Sequence, residues 1–224
     1  MTAQKTARIA GLFYFLFLIL GIFSFFYVPG KIFVEGDALA TARNIETNQL
    51  LFRFGIVSNL IGQIIFLFLV LLLYQLFEKV NKTYSRLMVI LVIASVPITF
   101  VVIFNQIASL VLLSGADFLK SFSQSQLNTL SLLFYNFYND GIIVVGLFWG
   151  LWLYPFGYLV IKSKFIPKTL GILLIIGCFC YLIDGFSFLL LPNYRNMISS
   201  ILTLPMAIGE FSMIFWLLIK GVKV

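Results

Sequence analysis

The stretch Gly171–Leu191, "GILLIIGCFCYLIDGFSFLLL", decides the fold. A helix crosses the roughly 30 Å hydrocarbon core of a bilayer in about 20 apolar residues. These 21 residues match that length, with a single charged side chain, Asp184. The stretch therefore reads as a membrane span, and it raises a question: what does a carboxylate do inside it? The rest of the chain supports the membrane reading. Hydrophobic residues make up 62% and charged residues only 10%, against about 45–50% and about 25% in soluble domains. Such a chain cannot cover its surface with polar groups, so lipid is its solvent.

Six segments are apolar and long enough to span: about 9–28, 55–77, 87–113, 134–161, 169–191 and 197–219. The expected fold class is all-α, a polytopic membrane protein forming a six-transmembrane-helix bundle as a single domain over 1–224. The first span follows "MTAQKTAR" and lacks a small-x-small cleavage site, so it is read as a retained helix, not a signal. Between the first two spans, the outer loop 29–50 contains a short helix, with Asp37 as its N-cap candidate. Pro97, Pro155 and Pro205 fall inside spans and predict kinks.

Lysine and arginine divide unequally between the two sides. Lys5, Arg8, Lys79, Lys82, Arg86, Lys162, Lys164, Lys168, Lys220 and Lys223 fall on one side; Lys31, Arg43, Arg53, Lys120 and Arg195 fall on the other. Basic residues collect in cytoplasmic loops, so both termini are expected to be cytoplasmic, in the plasma membrane. This bias accounts for the net charge of +7 without a nucleic-acid partner. The partner is the lipid bilayer. Histidine is absent, which removes His-ligated zinc, His-held haem and His-activated nucleophiles. No cofactor is called for. Cys178 and Cys180 point about 200° apart on a helix, which excludes a disulfide, and are read as buried thiols. The 26 Phe are read as lipid-facing bulk.

A rise of about 1.5 Å per residue turns the cytoplasmic basic residues into depth markers. Asp184 stands 16 residues from Lys168, and Gln63 stands 16 from Lys79, at a similar height. Glu210 is ten residues from Lys220, near mid-membrane. Asn59, Asn105, Gln106 and Asp140 reach the outer boundary, with Arg53 just above. Helical spacing gives Asn136, Asn139 and Asp140 one face, and Asn59 and Gln63 another. A charged side chain facing lipid costs about 2.5–3.5 kcal/mol, so these faces turn inward. Their simplest destination is an outward-facing polar cavity with Glu210 at its floor.

The ligand-binding candidates are thus Asp184, Glu210, Gln63, Asn59, Asp140, Arg53, Asn139 and Gln106. Carboxylates beside amides suit a small polar or cationic ligand that is sensed or transported. Two other classes remain open. One is an intramembrane enzyme acting on lipid or peptide, with Asp140, Asp184 and Glu210 as oxygen ligands for a divalent metal. The other is a structural or assembly protein, since Asn and Gln between membrane helices act as glue.

Several stretches carry a family resemblance: "ARIAGLFY" (7–14), "LFRFGIVS" (51–58), "FWGLWLYPFGYLVIKSKFIPKTLGILL" (148–174), "YLIDGF" (181–186) and "GEFSMIFWLLIKG" (209–221). Together they resemble a family of bacterial and archaeal integral membrane proteins catalogued as domain of unknown function 4386. The resemblance covers nearly the whole chain. It implies a membrane location and a prokaryotic source, and no activity.

Overall fold

The computed structural model describes residues 2–222; Lys223, counted above with the basic residues of one side, lies outside the described residues. Among them there is no strand, and six helical segments are long and apolar enough to cross a membrane. The chain is a multi-pass membrane protein. Lipid leaves a backbone only two ways to satisfy its polar groups, and a helix does so within its own segment.

The helices are longer than the hydropathy of the sequence indicates. The first runs over Ala3–Ile32, as α1 (Ala3–Ile22), a π-helical turn at Phe23–Tyr27 and α2 (Val28–Ile32). Pro29 follows the π-helical turn and has no N–H to return to the preceding turn. Asp37 then caps α3 (Ala38–Thr47), its carboxylate accepting from the Ala40 N–H at 2.9 Å. After Asn48 come α4 (Gln49–Phe77) and α5 (Lys82–Leu112). The fourth span, Gln124–Ser163, has 40 residues instead of the 28 expected over 134–161. Its first ten, "QSQLNTLSLL", include six polar residues that continue the helix outside any apolar run. Hydropathy marks the part a lipid core would cover, whereas hydrogen bonding sets where the helix stops. Pro155 divides this span: α6 (Gln124–Leu151) ends one turn before it, and α7 (Leu153–Ser163) resumes after Trp152. The proline ring occupies the place where an N–H would meet the Leu151 carbonyl. Two more helices follow, α8 (Lys168–Leu190) and α9 (Arg195–Phe215), the latter containing Pro205 and ending in a π-helical turn at Trp216–Lys220.

The fold divides into two compact units, with the divisions falling inside helices. The first unit takes the described residues up to Phe17, Ile64–Pro97 and those from Ile143 onward. Its centre is Trp152, which meets the rings of Tyr14, Phe66 and Phe156 at 5.9, 5.1 and 5.3 Å. At one end of this unit the chain termini and loops are tied together. The Gln4 amide donates to the Lys220 carbonyl at 3.0 Å and accepts from the Val222 N–H at 2.6 Å. Phe77 stacks on Phe165, and Tyr84 on Tyr158.

The second unit takes Leu18–Gln63 and Ile98–Ile142. Its core gathers Val28, Ile32, Ile45, Phe52, Ile56, Ile103, Leu110, Tyr135 and Tyr138. Within it, the Ser109 and Ser131 hydroxyls bond each other's backbone carbonyls and link α5 to α6.

Phenylalanine does not serve only as lipid-facing bulk. Phe52, Phe66, Phe77 and Phe156 are fully buried, while Phe26, Phe68 and Phe104 stand exposed. In a membrane helix both faces are apolar, so composition alone does not separate core rings from lipid-facing ones. Cys178 and Cys180 are buried free thiols.

Glycine permits close helix contacts. A Cβ on Gly157 of α7 would stand 2.5 Å from the Gly171 carbonyl oxygen of α8, and one on Gly171 would stand 2.6 Å from that of Gly157. The two backbones therefore touch, as small residues permit in lipid. Gly157→Val is expected to destabilise the protein by about 1–3 kcal/mol. Gly30→Ala, with nothing within 4 Å, is expected to be neutral or slightly stabilising. Thermal melting of the two variants in one detergent checks the contrast.

Candidate functional site

In the first unit the polar chemistry gathers around Glu210. Tyr14 lies on the α1 face made by Thr6, Ala7, Ala10 and Gly11, whose small side chains let that face sink into the core. Gly209 brings α9 onto α8: its Cβ would meet the Leu173 carbonyl oxygen at 2.9 Å. On α6, Gly150 lies under the Cβ of Tyr181 and leaves room for that ring. The result is one carboxylate held from two sides. The Tyr14 hydroxyl donates to Glu210 Oε2 at 2.7 Å, and the Tyr181 hydroxyl donates to Oε1 at 2.9 Å. Three spans, α1, α8 and α9, meet in this clamp.

Asp184 sits three residues beyond Tyr181 on the same face of α8. The residue is half-buried, and its Oδ1 is shielded from solvent yet accepts no hydrogen bond. Ser187 does not relieve it, because that hydroxyl donates to the Asp184 backbone carbonyl at 2.9 Å. A buried acceptor without a donor costs about 1–3 kcal/mol, more when charged. The two acids thus differ: Glu210 has a donor on each oxygen, and Asp184 has an open one.

The second unit holds the amides. Asn59 and Gln63 are buried one turn apart on α4; the Gln63 amide donates to Asn59 Oδ1 at 3.3 Å, and Asn59 donates to the Tyr138 hydroxyl at 3.2 Å. Gln63 Oε1, Gln106 Oε1 and the Tyr135 hydroxyl are buried without partners. Asn139 and Asp140 are half-buried on α6. Arg53 is exposed and lines a cavity of about 410 Å³ whose walls are otherwise mostly apolar, among them Ile56, Val57, Ile107 and Leu110. Among the described residues no group of three or more His, Cys, Asp and Glu is placed to hold a metal ion, so Asp140, Asp184 and Glu210 do not form one.

Tyr14 and Tyr181 are absent from the candidates drawn from sequence. The signal available for them was general: a phenol buried within a span usually finds an acceptor. Their acceptor lies 196 and 29 positions away, respectively.

The model of the family described as a domain of unknown function (DUF4386) matches residues 9–221. The chain belongs to this family. No curated protein and no solved structure matches it. Tyr14, Tyr181, Asp184 and Glu210 all lie inside the DUF4386 match.

The clamp has a measurable signature in this DUF4386 protein. Tyr14→Phe and Tyr181→Phe are each expected to lower stability by about 1 kcal/mol, within the range of interhelical hydrogen bonds in membranes. Because both act through one carboxylate, their effects are expected to be non-additive, and adding Glu210→Leu should remove most of that coupling. A double-mutant cycle on melting temperatures checks this.

Proposed function

We propose that this DUF4386 protein lies in the plasma membrane with both termini cytoplasmic and binds a small cationic or polar ligand through Asp184. One observation carries the proposal: Asp184 Oδ1 is buried, has no donor, and stands on the helical face whose Tyr181 holds Glu210. An ionised acid in lipid needs a partner or a proton. A cation or an N–H donor bound at Asp184 would supply one. Glu210, with both oxygens already engaged, holds α1, α8 and α9 in place behind the ligand. Its two hydrogen bonds also support the structural alternative, in which the clamp is only glue; the open oxygen of Asp184 favours binding over that alternative. In the second unit, Asn59, Gln63, Gln106, Asn139, Asp140 and Arg53 are proposed as a separate polar lining. Orientation rests on the basic residues at the ends of the first unit's helices. Sensing suits the sequence better than carriage, because the stretches toward the basic end contain few polar residues for a path.

Asp184→Asn should leave the melting temperature of the free protein unchanged or raise it. The same variant should abolish any stabilisation by sodium, guanidinium or tetramethylammonium chloride added at constant ionic strength. N,N′-dicyclohexylcarbodiimide should modify Asp184 in preference to Glu210, and a stabilising cation should protect it. Absence of a cation effect together with modification at Glu210 alone would leave the structural alternative. For orientation, a cysteine placed at Lys164 should resist an impermeant maleimide in intact cells, whereas one at Lys120 should react.

A further inference from the structure

A second site, separate from the acids, lies at the tied end of the first unit. A cavity of about 410 Å³ opens there between the start of α1 and the end of α4. Gln75, on the last turn of α4, and Lys79, in the turn that follows it, line it together with Thr6; Leu76, Val80 and Phe165 form its apolar wall. The cavity is thus two-sided, with nitrogen donors and a hydroxyl facing aliphatic and aromatic carbon. It straddles the end of an apolar span, since α4 stops at Phe77. Lys79 is exposed and makes no ion pair; among the described residues the one ion pair is Lys120–Asp117, in the second unit. Nearby helix ends carry Lys5, Arg8, Lys82 and Lys220, with Glu78 as the one acid among them. Charge therefore favours an anion, and α1 adds the positive end of its helix at Ala3, which also lines the cavity.

We propose that this cavity is a headgroup site for an anionic membrane phospholipid. The phosphate is held by Lys79 and Gln75, and the glycerol and upper acyl carbons lie on Leu76, Val80 and Phe165. A soluble anion would use the polar side and leave the apolar wall bare. A zwitterionic lipid would use the wall and bring its own cation toward Lys79. Only an anionic amphiphile matches both sides.

The test uses the full-length protein in detergent with phosphatidylglycerol, phosphatidylcholine or sodium phosphate, followed by native mass spectrometry and thermal melting. Phosphatidylglycerol should remain bound at least fivefold more than phosphatidylcholine and should raise the melting temperature. Lys79→Gln and Gln75→Ala, both at exposed positions, should each reduce that retention severalfold. Lys162→Gln removes a charge outside the cavity and should not. Equal losses from Lys79→Gln and Lys162→Gln would mean that the basic field attracts lipid without a site, and would overturn the proposal. Equal retention of the two lipids, or full stabilisation by sodium phosphate alone, would also overturn it.

Discussion

A polar group inside hydrocarbon has no water to fall back on, and nearly every local choice in this structure follows from that. Backbone groups close within helices. Hydroxyls turn back onto their own helix: Ser95 onto the Val92 carbonyl, Ser163 onto Val160, Ser187 onto Asp184 and Thr203 onto Ser199. Where a hydroxyl or amide instead reaches another helix, it fixes that pair. Ser109 and Ser131 do so for α5 and α6, and Asn59 and Tyr138 do so for α4 and α6. Glu210 is the strongest such case, since one side chain satisfies phenols from two other spans. A tyrosine hydroxyl and a carboxylate are poor company for lipid separately; joined, each removes the other's cost.

The same rule explains what the sequence made legible. Spans are visible because apolarity must persist for the full thickness of the core, and all six appear as helices at the expected places. The Asp37 cap is visible because an Asp before a helix-forming run has a local role that needs no tertiary partner. The pairing of Asn59 with Gln63 follows from their spacing of four. Other features depend on partners remote in the chain. Nothing around Tyr14 announces Glu210, and nothing in Gly157 announces Gly171 rather than some other neighbour. Phenylalanine fails for a related reason. Phe66 and Phe68 are two positions apart in one apolar run, yet one is fully buried and the other more than half exposed. Apolarity alone cannot separate them; only the polar pair Asn59 and Gln63, seven and three residues before Phe66, orients that helix.

Helix ends follow different physics from helix middles. In the interior, glycine and the Tyr–Glu–Tyr clamp decide how closely α1, α7, α8 and α9 approach one another. At the tied end of the first unit, the Gln4 amide completes the bonds that the last turn of the C-terminal helix leaves open, accepting from Val222 and donating to Lys220. Aromatic pairs, Phe77 with Phe165 and Tyr84 with Tyr158, pack the neighbouring loops. The cavity lined by Thr6, Gln75, Lys79 and Phe165 is bordered by these elements.

The two acids of the first unit differ in what holds them. If Asp184 served only to hold helices, an asparagine could donate as well as accept, and a leucine would avoid desolvation altogether. Either would be more stable than a carboxylate with an empty acceptor. Glu210 does not share this problem, because Tyr14 and Tyr181 occupy both of its oxygens. Tyr181 links the two acids: its hydroxyl is committed to Glu210, and its position three residues before Asp184 places the open oxygen one turn from the clamp. A guest cation at Asp184 would therefore bind beside a support built from three spans. In the proposed binding mode the clamp would supply preorganisation and the unsatisfied carboxylate the affinity.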